Sequence, residues 1–95
     1  MAIDLNNTGD MRRAALEVAG LKDSNEAVSI FTEVFTDFCF SRTRAEAYEL
    51  TLEWFASFGE LRRDAPEMAS RLWQETLRQG ALPYTPAPRA NRLYK

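Results

Sequence analysis

The stretch Arg44-Ala-Glu-Ala-Tyr-Glu-Leu-Thr-Leu-Glu-Trp-Phe-Ala-Ser-Phe-Gly-Glu-Leu-Arg-Arg63 decides the fold. Wound as a helix at about 100° per residue, it gathers Glu46, Glu49, Glu53, Ser57 and Glu60 into an arc of roughly 80°. Ala45, Ala47, Tyr48, Leu50, Leu52, Trp54, Phe55, Ala56, Phe58 and Leu61 take most of the remaining circumference. An ordinary surface helix carries an apolar stripe only slightly wider than about 100°; here apolar positions span roughly two-thirds of the circle. The segment therefore needs cover on at least two sides, from its neighbours in sequence and, where those run short, from another copy of the chain.

Working outward, Thr43-Arg-Ala-Glu46 has the spacing of a capping box and opens this helix, and Arg62 and Arg63 sit near its negative end, where cations stabilise it. Upstream, Asp23-Ser-Asn-Glu26 has the same spacing, with Asp23 as cap, and starts a helix that runs to about Phe40 with Ala27, Ile30, Phe31, Val34, Phe35 and Phe38 at helical intervals. The competing strand over 30–40 would put Glu33 and Asp37 on the face shared by Phe31 and Phe35, a poor surface to bury. Further upstream, Asp10 caps a short helix to Ala19 with Met11, Ala14, Ala15 and Val18 on one side and Gly20 as its stop. Residues 1–9 read as a loose arm. Downstream, Asp64-Ala-Pro-Glu67 gives a third capping box, and the helix from about Ala65 buries Met68, Ala69, Leu72, Trp73, Thr76 and Leu77 before Gly80 and Pro83 end it.

Short turns fold these segments into antiparallel hairpins, in which residues equidistant from a turn meet. Around Arg42 and Thr43 this pairs Phe38 with Ala47, Phe35 with Leu50, Phe31 with Trp54 and Ala27 with Phe58. Around Arg63 and Asp64 it pairs Phe58 with Ala69, Trp54 with Trp73 and Leu50 with Leu77. Trp54 is thus expected between Phe31 and Trp73, each such ring contributing about 2 to 3 kcal/mol on burial. One long helix kinked at Pro66 would instead hold the two indoles about 28 Å apart. The predicted architecture is an all-α bundle of three to four helices over 10–80 around the central helix 44–63, followed by an extended tail over 81–95.

Ninety-five residues make one small domain. The lone Cys39 permits no internal disulfide and, among phenylalanines, reads as a packing thiol. No signal peptide or membrane span is present, which points to a soluble cytoplasmic protein. The net charge is −2, but residues 1–79 hold all fourteen acids and nine of the twelve bases, giving −5, while residues 80–95 hold Arg89, Arg92 and Lys95, giving +3. That balance makes nucleic-acid binding improbable. The proline-punctuated tail, ending in Leu93 and Tyr94, reads as an extended segment able to lie over a neighbour or along the acidic stripe.

The chain contains no histidine, which removes Ser-His and Cys-His nucleophile pairs and most zinc sites. There is no Walker or dinucleotide glycine pattern, and the four outward glutamates lack the Glu-x-x-His of bundle metal sites. No metal, no cofactor and no catalysis are expected. The predicted function is that of a small interaction protein that occupies a partner protein, a regulator or inhibitor of the immunity-protein or phage anti-defence kind, self-associated as a homodimer or higher oligomer. Its candidate contacts are Glu46, Glu49, Glu53 and Glu60 with Tyr84, Arg89, Arg92 and Tyr94 of the tail. The alternative is an oligomer that sequesters a nucleotide-type ligand between protomers, with Tyr84 or Tyr94 stacking on a base and Arg89 or Arg92 holding phosphate.

Overall fold

The computed structural model describes residues 4–79, which form four α-helices and, among the described residues, no strand. These are α1 (Thr8–Val18), α2 (Asn25–Cys39), α3 (Arg44–Asp64) and α4 (Pro66–Gln79). α3 is the central element and packs against each of the other three.

The cap of α3 forms as its spacing requires. The Thr43 N–H donates to Glu46 Oε1 (3.1 Å) and the Glu46 N–H donates to Thr43 Oγ1 (3.2 Å). Two other caps are displaced. At α1 the cap is Asn7, whose side chain accepts from the Asp10 N–H (3.2 Å), so the helix starts two residues before Asp10 and draws Thr8 and Gly9 out of the expected arm. Asp10 pairs instead with Arg13. At α2 the cap is Ser24, which accepts from the Ala27 N–H (3.2 Å), while Asp23 faces Arg12 at 3.5 Å. With Ser24 as cap, the third helical residue is Ala27, which has no side chain to reach back, and Glu26 is released for another contact. Asp64, expected to open α4, closes α3 beside Arg63, and α4 begins at Pro66.

α1 stops at a glycine as expected. Gly20 has φ 71°, its N–H donates to the Glu17 carbonyl (3.0 Å), and the Leu21 N–H donates to the Leu16 carbonyl (2.8 Å). These are the two bonds of a Schellman ending, which needs a left-handed residue at that position. α1 runs alongside α3 in the same direction and is held at both ends by arginines of α3. Arg44 Nε donates to the Leu5 carbonyl and its NH2 donates to Thr8 Oγ1 (3.4 Å); Arg62 NH1 donates to the Gly20 carbonyl (2.8 Å). The helix between them buries Met11, Ala15 and Leu16, with Ala19 buried at its cap, whereas Val18, expected inside, is 47% exposed.

The core is built on Phe31, Leu50, Trp54, Phe55 and Phe58, all buried. Trp54 stacks on Phe58 (5.7 Å, 7°) and meets Phe55 edge-on (4.9 Å, 74°); Phe58 leans on Trp73 at 4.8 Å. Both indoles therefore adjoin one phenyl ring, which establishes the α3–α4 hairpin over the long kinked helix. The partners expected of Trp54 shift: Phe31 meets Phe55 (6.4 Å), and Trp73 meets Phe58. For Trp73 the reason is the hinge. Chain direction reverses at Ala65, with φ −144° and ψ 73°, rather than between Arg63 and Asp64, so equidistance counted from Ala65 sets Phe58 opposite the Leu72–Trp73 step. α2 is helical throughout, with Phe31 and Phe35 stacked one turn apart at 5.8 Å. On α4, Ala69 and Thr76 are buried and define its inner meridian. Met68 lies roughly 90° from that line and is 57% exposed, not buried as the pattern suggested.

Candidate functional site

α1, α2 and α4 leave one face of α3 uncovered, and the acidic stripe lies on it. Its four glutamates differ in what they do. Glu46 is half-buried and engaged in the capping box, and Glu53 is half-buried and has an interaction of its own. Glu49 and Glu60 are exposed. Of the carboxylates expected to meet a partner, these two are presented outward, and Glu17 of α1 joins them.

Shallow grooves flank the stripe. One, of about 570 Å³, lies where the end of α1 crosses α3 and is lined by Glu17, Val18, Ala56, Gly59 and Glu60, with Arg62 and Arg63 at its rim. At Gly59 α1 approaches α3 closely, so that an added Cβ would stand 3.0 Å from Ala19 Cα. A second groove, of about 280 Å³, is lined by Ser57, Glu60, Leu61, Asp64 and Leu72 between α3 and α4. Glu60 belongs to both. Leu72 carries the surface on to Met68, Arg71 and Glu75. Apolar groups, exposed at Val18 and Met68 and partly buried at Leu61 and Leu72, thus border a carboxylate-bearing ridge. Of the two neighbouring cations, Arg63 pairs with Asp64 (3.4 Å), whereas Arg62, bonded to the neutral Gly20 carbonyl, keeps its charge.

Val18 and Met68 hold core positions in the helical pattern yet are exposed, and Phe40, at no such position, is 83% exposed at the end of α2. A signal for Phe40 was present, because it lies roughly 200° around the helix from Phe38 and so opposite the Phe31–Phe35–Phe38 face. Cys39 is free and half-buried at the margin of the core. Tyr84, Arg89, Arg92 and Tyr94 lie outside the described residues.

Two further features bear on chemistry. Tyr48 is 8% exposed, and this burial raises its phenol pKa above the ordinary 10.0. Among the described residues no group of three or more Cys, Asp or Glu side chains is placed to hold a metal ion, and no helix is long and apolar enough to cross a membrane. No family model, no curated protein and no solved structure matches this chain.

Proposed function

We propose that this protein acts by binding: it seats a basic, amphipathic segment of a partner protein on the open face of α3 and so occupies that partner. The observation that carries the reading is the surface from Val18 through Glu60 to Met68, in which the exposed Val18 and Met68 and the partly buried Leu61 and Leu72 border outward carboxylates. A solvated helix face needs no such apolar border; a docking face does, because desolvated apolar anchors supply affinity while charge sets orientation and encounter rate. The rigid rod of α3, capped at its start and covered on its other sides, presents these groups without an ordering cost at binding.

A regulator or inhibitor that works by occupancy, of the immunity-protein or phage anti-defence type, fits a small acidic chain without histidine. Affinity capture from host extract tests the reading. The wild-type chain retains a stoichiometric protein, and the double substitution Glu60→Lys with Met68→Asp, both at exposed positions, releases it without changing helicity. Equal retention by the variant overturns the proposal, as does a chain that retains nothing.

A further inference from the structure

A third groove, of about 330 Å³, opens between the first turns of α2 and α4, on residues separate from Glu49, Glu60, Val18 and Met68. Its floor is Ala27, Phe58, Ala69 and Trp73. Ala27 and Ala69 are 2% and 1% exposed and are the smallest apolar side chains available where the two helices face each other, so the space above them stays open. Phe58 and Trp73 form an aromatic corner with centroids 4.8 Å apart, and the Trp73 indole N–H donates to Glu26 Oε2 (3.3 Å), which fixes the ring as a wall.

The charge here runs against the rest of the molecule. Residues 4–79 contain fourteen carboxylates and nine cations, a net of −5, yet the titratable side chains lining this groove are Lys22, Arg62 and Glu26. Glu26 accepts from the indole and keeps its negative charge, so the lining nets +1 where residues 4–79 net −5. Arg62 is held in place by the Gly20 carbonyl (2.8 Å), which lies two residues before Lys22 and leaves the guanidinium's remaining donors for another acceptor. Ser24 and Ser70 add hydroxyls at the rim, and the positive ends of α2 and α4 add to the same sign.

We propose that this groove binds a small aromatic anion, its ring lying on Trp73 and Phe58 and its anionic group reaching Lys22 and Arg62. The size suits one ring bearing one charged group, since ligand pockets begin at about 300 Å³. An aromatic wall with two cations on the same lining recognises both parts together. A neutral ring lacks the second contact and a bare anion lacks the first.

Amide NMR of the full chain with three titrants tests this: phenyl phosphate, benzyl alcohol and inorganic phosphate. Phenyl phosphate is expected to give saturable shifts at the amides of residues 24–27 and 69–73 and at the Trp73 indole N–H. Benzyl alcohol, without the charge-assisted contacts, and inorganic phosphate, without a ring to bury, are each expected to bind at least about tenfold more weakly. Lys22→Ala, at an exposed position, weakens phenyl phosphate by about tenfold, and Arg78→Ala leaves it unchanged. The proposal is overturned by the absence of saturable shifts at millimolar phenyl phosphate, by shifts centred elsewhere, by equal binding of benzyl alcohol, or by a Lys22→Ala chain that binds as well as wild type.

Discussion

Gly59 is a helix-interior glycine, so replacing it with alanine would ordinarily stabilise the chain by about 1 kcal/mol. Here the new methyl would stand 3.0 Å from Ala19 Cα and 3.3 Å from the carbonyl oxygens of Val18 and Ala19. Those are backbone atoms, and they can yield only if the end of α1 moves. Overpacking of this kind costs about 1 to 3 kcal/mol, so Gly59→Ala is expected to be net destabilising by about 1 kcal/mol in urea titration, with faster amide exchange in α1. Tyr48 gives a second residue-scale expectation. Its folded pKa is raised, so the stability linked to its neutral form is intact below about pH 10 and is lost as pH rises toward the folded value. Tyr48→Phe removes that alkaline loss. In a denaturation series at rising pH the variant should hold its midpoint where wild type falls; parallel curves would contradict the assignment. Neither residue stood out in the amino-acid pattern. Tyr48 was legible as apolar-facing, but its titration depends on depth, and the role of Gly59 depends on a helix crossing that periodicity does not encode.

Elements were more legible than single contacts, for a physical reason. Apolar periodicity over a dozen residues averages many weak preferences, whereas a cap rests on one side chain. At α2 the choice between Asp23 and Ser24 turns on a register step of one residue, and long-range partners settle it: Arg12 takes Asp23, and Trp73 takes Glu26. Both partners come from other helices and were invisible in the local pattern. The consequence is measurable. Ser24→Ala and Thr43→Ala should each destabilise the fold by about 1 kcal/mol, as loss of an N-cap does. Asp23→Ala, which breaks an exposed pair, should cost clearly less. If Asp23→Ala proves the more damaging of the two at α2, the cap is misassigned. The same logic explains α4, where five of six expected inward residues are at least half-buried and Met68 alone falls outside, at the edge of a pattern too wide for the narrow contact α4 makes.

At the scale of the whole molecule, the broad apolar arc of α3 finds its cover within the chain: Leu50, Trp54, Phe55 and Phe58 are all buried beneath α1, α2 and α4. The expectation of a second copy rested on that arc, so it must now rest on the smaller exposed groups, Val18, Phe40 and Met68, which lie at or beyond the ends of three different helices or along their flanks. What remains singular about the surface is its charge. Glu49 is exposed between Glu46 and Glu53 on one helix face, and like charges three and four residues apart cost a few tenths of a kcal/mol each. Net charge keeps a chain soluble, but it can be spread over the whole surface, so solubility alone does not call for like charges side by side. A surface shaped to meet cations does, because the repulsion is relieved when the partner binds. Glu49→Lys therefore separates the two. In low salt it should raise the chemical denaturation midpoint, by an amount equivalent to about 0.5 kcal/mol, and raising salt should narrow the gap to wild type. If the open face of α3 docks a basic segment, the same substitution should lower the yield of captured partner although the domain has become more stable. Stability gained with capture unchanged would leave Glu49 outside the contact and confine the docking face to the Glu60 half of α3.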